Sequence, residues 1–155
     1  MRKRIYVSAI ALPCLMLFAG LAAAQSRASV PAAEVNGTFR KSFTGKYKNS
    51  SSEIRIFAIG GGKLQVALDL IYPYTMRNGE FMANTGQLTG YGSISGDTAI
   101  YDMGEYTGCT ITIKFVRPGI IKVSQEGTDA DCGFGHNVTS DGIYKKVSSK
   151  KPKFD

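Results

Sequence analysis

The stretch Cys109-Thr110-Ile111-Thr112-Ile113-Lys114-Phe115-Val116-Arg117-Pro118-Gly119-Ile120-Ile121-Lys122-Val123-Ser124-Gln125-Glu126 decides the fold. Its first limb sets Cys109, Ile111, Ile113 and Phe115 against Thr110, Thr112, Lys114 and Val116. That is the period-two alternation of a strand with one buried face. Arg117-Pro118-Gly119 is a turn tripeptide, because proline presets one turn dihedral and glycine accepts the next. The second limb returns with Ile121, Val123 and Gln125 on one face, so the pair reads as an antiparallel hairpin.

The same pattern spreads outward, and helical periodicity is nearly absent after residue 40. Glu53 to Ile59 is β-branched and aromatic, Gly60-Gly61-Gly62 turns the chain, and Leu64, Val66, Leu68 and Leu70 line one face of the next strand. Tyr72 to Gly79 reads as a loop or broken edge, since Pro73 cannot donate to a ladder. Phe81–Asn84 and Gln87–Ile94 read as two separate strands, with Gly90 and Gly92 marking bends. Ser95-Gly96-Asp97 turns into Thr98–Tyr101, and Ile143–Val147 closes the domain. About eight short strands, each with one apolar face, must bury those faces against one another. The expected fold is all-β, a single antiparallel up-and-down barrel, with a sandwich as second choice. Gly45-Lys46-Tyr47-Lys48 echoes Gly142-Ile143-Tyr144-Lys145, which suggests that these two segments pair to close the cylinder.

The N-terminus carries Arg2, Lys3 and Arg4, then an apolar run from Ile5 to Ala23 ending in Ala22-Ala23-Ala24. A basic head, a greasy middle and small residues at the cut are what a signal peptidase accepts, and an uncleaved anchor is the rival reading. The expected organisation is a signal peptide over 1–24, a flexible leader over 25–37, the barrel over 38–148 and a basic tail over 149–155. The expected location is periplasmic or secreted, without stable membrane insertion after cleavage. Cleavage removes three of nineteen basic residues and none of twelve acidic ones, so the formal charge falls from +7 to +4. Such a charge favours solubility and carries no nucleic-acid signature. Cys14 leaves with the signal, and Cys109 and Cys132 remain as the expected disulfide. Its loop of about 24 residues is worth roughly 3–4 kcal/mol on the chain-entropy model.

The remaining chemistry is narrow. His136 is the one histidine and tryptophan is absent. A Ser-His-Asp or Cys-His device would have to pass through that residue, and a multi-histidine zinc site is impossible. No phosphate-cradling Gly-x-x-x-x-Gly-Lys is present. We therefore expect no enzyme activity, no cofactor and no metal. Glu126, Asp129 and Asp131, with Asp141 beyond, form the one acidic cluster. It reads as a solvated loop around the disulfide, a weak Ca²⁺ site or an anionic patch for a partner. Tyr72, Tyr74, Tyr91, Tyr101 and Tyr106 fall in the middle third, either as interface residues or as half-buried rim residues.

The strings Gly96-Asp97-Thr98-Ala99-Ile100-Tyr101, Cys132-Gly133-Phe134-Gly135 and Asp141-Gly142-Ile143-Tyr144-Lys145 resemble a group of small exported bacterial proteins described as lysozyme-inhibitor-like. The resemblance covers about residues 45–154. It implies a periplasmic barrel that binds a lysozyme or another wall hydrolase. Bacterial inhibitors of C-type lysozyme carry a Ser-Gly-x-x-Tyr loop that enters the enzyme's cleft. Here Ser95, Gly96, Asp97 and Tyr101 stand in its place, with the tyrosine two residues further on, about 7 Å along a strand. Ser95, Gly96, Asp97 and Tyr101 are thus the expected partner-binding residues, with Asp97 solvated, and Glu126, Asp129 and Asp131 are the second candidate patch. The alternative function is a lipocalin-type carrier that holds a small ligand inside the barrel.

Overall fold

A computed structural model of the chain describes residues 27–103 and 108–154. The expected signal peptide over 1–24 and Tyr106 lie outside them. Eight antiparallel strands close into one barrel in sequence order. They are β1 (Gly37–Ser42), β2 (Ser51–Gly60), β3 (Lys63–Thr75), β4 (Phe81–Ser95), β5 (Thr98–Asp102), β6 (Thr110–Arg117), β7 (Ile120–Glu126) and β8 (Gly142–Ser148). Among the described residues, no helix is long and apolar enough to cross a membrane.

The alternation read in Cys109–Glu126 is the pleat of β6 and β7. Ile113 pairs with Val123 and Phe115 with Ile121, all inside, while Lys114 pairs with Lys122 outside. β2 and β3 follow the same rule, with Ile54 against Leu68 and Ile56 against Val66. These eight interior residues are fully buried or within 2% of it. Each such side chain contributes roughly 1.5–3 kcal/mol by leaving water. Phe39 and Phe115 meet edge to face with centroids 6.3 Å apart. Tyr144 fills the interior beside them and donates its hydroxyl to the Ser140 carbonyl at 2.9 Å. Burial raises the Tyr144 phenol pKa well above its ordinary value, and the neighbouring Asp141 charge adds to the rise.

Three local expectations are corrected. The strand that closes the barrel onto β8 is Gly37–Ser42, with Phe39 opposite Lys146 and Arg40 opposite Lys145. Gly45–Tyr47 forms a short 3-10 turn instead. The likeness between Gly-x-Tyr-Lys segments thus pointed to the right closure through the wrong partner. Second, β4 is one strand of fifteen residues, and β3 runs straight through Pro73, which pairs with Ala83. The β2 ladder onto β3 stops at Asp69, so Pro73 sits where β4 alone flanks the strand and its missing N–H loses no bond to β2. Third, the glycines of β4 make room for rings. A Cβ on Gly86 would lie 2.5 Å from the Phe134 ring, and one on Gly90 would lie 2.5 Å from the Tyr101 hydroxyl.

Parts of the segments read as a flexible leader and a basic tail make specific contacts with the barrel. Arg27 donates its backbone N–H to Asp97 and its guanidinium to Glu34 and the Phe115 carbonyl. The chain then enters a four-residue helix, α1 (Ala32–Val35), that buries Val35. Lys146 reaches under α1 and donates to the carbonyls of Ala33, Glu34 and Asn36. At the other terminus Arg55 holds the Lys153 carbonyl at 2.7 Å, and Pro152 is buried.

Candidate binding surface

The β4–β5 hairpin carries the expected partner-binding residues. Ser95 pairs with Thr98, which leaves Gly96 and Asp97 as a two-residue turn. Gly96 sits at φ +62°, a left-handed value that suits glycine. Ser95 is exposed. Asp97 is not solvated: it is 4% exposed and accepts hydrogen bonds from the Thr98 hydroxyl at 2.9 Å and the Arg27 N–H at 3.2 Å. Those donors, the Thr98 hydroxyl foremost, hold its carboxyl below the ordinary range. Tyr101 is 6% exposed and packs in the core over Gly90, where burial raises its phenol pKa. The reason is parity. From the Ser95–Thr98 pair, Ala99 and Tyr101 point inward, and only Ile100 points out.

That outward face holds an open hollow lined largely by apolar side chains. Lys63, Ser93 and Ile100 lie in one cross-strand row over β3, β4 and β5. Tyr91 stands in the next row of β4, and Ile59 approaches from the end of β2. With Gly92 they line an open groove of about 740 Å³. Tyr91 is 66% exposed, Ile59 46% and Ile100 44%. A tyrosine and two isoleucines left in water on one strand face are a larger apolar commitment than scattered surface residues make. Ile59, Lys63, Ser93 and Ile100 were missed in the sequence. The signal was present in Ala99-Ile100-Tyr101, a strand with bulky apolar groups on both faces where a half-buried strand needs only one.

Two of the three carboxylates of the second candidate patch are engaged within their own loop. Asp131 accepts the Thr128 N–H and hydroxyl, both at 2.8 Å. Asp129 accepts the Ala130 and Asn137 N–H groups, and His136 stands 3.6 Å from it with its ring exposed. Glu126 is exposed at the end of β7. Among the described residues no group of three or more histidine, cysteine or acidic side chains is placed to hold a metal ion. The carboxylates shape the loop that delivers Cys132 to Cys109, and the two cysteines are bonded with Cα atoms 5.0 Å apart.

A pH effect follows from this arrangement. The Thr128 N–H and then its hydroxyl pull the Asp131 carboxyl below its unfolded value of 3.8, as the donors on Asp97 do there. A depressed folded pKa contributes stability that is present above the unfolded value and lost as pH falls through the lower folded value. Thermal melts should therefore drop below about pH 4. Asp131→Asn should lower the neutral-pH melting point and flatten the acid limb. An acid limb unchanged by Asp131→Asn and by Asp97→Asn would place the acid sensitivity elsewhere.

The other tyrosines divide. Tyr72 and Tyr74 lie side by side, centroids 6.5 Å apart, over a hollow of about 430 Å³ completed by Asn84, His136 and Asn137. Tyr47 packs on Phe81 and shares a hydrogen bond with the Thr75 hydroxyl. No family model, no curated protein and no solved structure matches the chain.

Proposed function

We propose that the chain is an exported, non-enzymatic binding protein that blocks a wall-degrading enzyme and grips it with the outer face of β2 to β5. The observation that carries this reading is the pairing of a filled interior with an apolar exterior groove. Leu64, Leu68, Ile111, Ile113, Phe115 and Tyr144 occupy the space where a carrier would hold its ligand. An eight-stranded barrel is just wide enough for side chains to fill it, so the interior offers little to a lipocalin-type ligand. The recognition surface is then outside, where Tyr91 supplies large area at low entropy cost between two isoleucines. Among the described lining residues Lys63 alone is charged, so a cationic enzyme would meet one like charge in an otherwise neutral groove. The disulfide fits an oxidising compartment, where such an enzyme works.

Calorimetric titration against a panel of wall hydrolases, beginning with C-type lysozyme, tests the reading. The expected result is one-to-one binding that Tyr91→Ala weakens by about 2 kcal/mol, the loss of an interface anchor. The melting curve should be unchanged. Stoichiometric uptake of an apolar dye by the native protein, with no hydrolase bound, would favour the carrier.

A further inference from the structure

On the far side of the barrel the outer face of β6, β7, β8 and β1 has a different character. Lys114 stands directly opposite Lys122, and Lys122 opposite Ile143. Two residues along, Lys145 stands opposite Arg40 on one side and Ile120 on the other. Like charges in direct cross-strand register destabilise a sheet, so the Lys114–Lys122 and Arg40–Lys145 pairs work against folding. Arg40 is relieved by Glu53 at 2.7 Å on its other flank. Lys114, Lys122 and Lys145 enter no ion pair at contact distance among the described residues, Lys114 acting only at longer range on the Asp97 carboxyl, and all three are exposed. Between and beside them Val116, Ile143 and Val147 are each 50% exposed. Cations with aliphatic stems, interleaved with exposed branched apolar residues on one sheet face, match a surface that is anionic on top and hydrocarbon beneath.

We propose that this face rests on an anionic lipid bilayer. Lysine stems lie along the headgroup region while their ammonium groups pair with lipid phosphates. Val116, Ile143 and Val147 enter the boundary below. Adsorption is peripheral, since both faces of every strand are accounted for by core and surface. A single-stranded nucleic acid would ask for exposed rings between the cations, on which bases stack. The apolar residues here are aliphatic, which favours lipid. β7 lies four strands from β3 around the eight-stranded circle, so a molecule seated on this face turns the Tyr91–Ile100 groove away from the bilayer. The proposal does not depend on what that groove binds.

Co-sedimentation of the domain without its first 24 residues with vesicles tests it. One set is pure phosphatidylcholine and the other contains about one-third phosphatidylglycerol; poly(dT) in solution serves as the nucleic-acid probe. The expected result is binding to the anionic vesicles alone, weakening with salt. Replacing Lys114, Lys122 and Lys145 together by glutamine should weaken it on the order of a hundredfold, the change for three basic residues leaving an anionic surface. These side chains are exposed, so the melting curve should hold. Ile143→Ser with Val147→Ser should weaken vesicle binding several-fold and leave salt dependence intact. Absence of binding to anionic vesicles at low salt would overturn the proposal. So would tighter binding to poly(dT) than to vesicles, or vesicle binding untouched by the lysine triple variant.

Discussion

Replacing Tyr101 by alanine is expected to lower the stability of the domain by roughly 3–5 kcal/mol, the range for truncating a large buried ring. The side chain is 6% exposed and lies in the core cluster with Ile111, Ile113 and Phe115. For a domain of this size the melting point should fall on the order of 10–20 °C. The effect is on folding, because the ring faces the interior and cannot touch a partner that docks outside. Gly90 supplies an internal check. A Cβ there would lie 2.5 Å from the Tyr101 hydroxyl. Gly90→Ala should therefore be costly in the native sequence and cheaper beside Tyr101→Phe, which removes that atom. A double-mutant cycle over melting curves reads the coupling. Additive effects of the two changes would mean that the ring does not rest on the glycine.

The second large effect belongs to the staple. Cys109 and Cys132 join the start of β6 to the loop before β8, 23 residues apart in sequence. Loss of a native disulfide in a small exported domain typically costs roughly 2–5 kcal/mol. Cys109→Ser with Cys132→Ser should fall in that range. The loop's own hydrogen bonds, including Asp129 to the Asn137 N–H and Gly135 N–H to the Thr85 carbonyl, give the reduced form part of its order. The double variant should therefore keep a strand-rich circular dichroism spectrum while it melts earlier. Quantitative labelling of both thiols in the native, unreduced protein would contradict the bond itself.

The barrel was legible because its signal is local. Ile111, Ile113 and Phe115 alternate with threonine and lysine, and each turn carries a residue that permits it, such as Gly119 at φ +75°. Errors arose where a long-range partner overrides a local rule. Pro73 reads as a strand breaker until the absent neighbour on its β2 side is seen. Gly90 reads as a bend until Tyr101 is placed on it. The segment before Gly37 is too polar to declare itself, and its order comes from Arg27 reaching Asp97, seventy residues away.

The candidate site shows the same limit more sharply. The resemblance drew attention to the β4–β5 hairpin, which does border the groove. Of its named residues, Asp97 and Tyr101 are turned inward while Ser95 stays exposed, and the hairpin side chains that line the groove include Ser93 and Ile100. A one-residue shift in a strand exchanges the two faces completely. Facing is fixed by the Ser95–Thr98 pairing, which depends on where the turn begins, and three successive turn formers, Ser95, Gly96 and Asp97, leave that choice open. Groove formation also needs Ile59, more than thirty residues earlier, and no spacing in the sequence brings it there.

Inhibition of C-type lysozyme on a peptidoglycan suspension, measured for the native protein and for two variants at adjacent positions, tests the exterior-groove reading most directly. Ile100→Glu places a charge in the groove, and Tyr101→Phe removes one hydroxyl from the core. Stoichiometric inhibition by the native protein, retained by Tyr101→Phe and lost in a folded Ile100→Glu, is the predicted result. Inhibition by Ile100→Glu equal to that of the native protein, or none by the native protein at a concentration well above that of the enzyme, would contradict it.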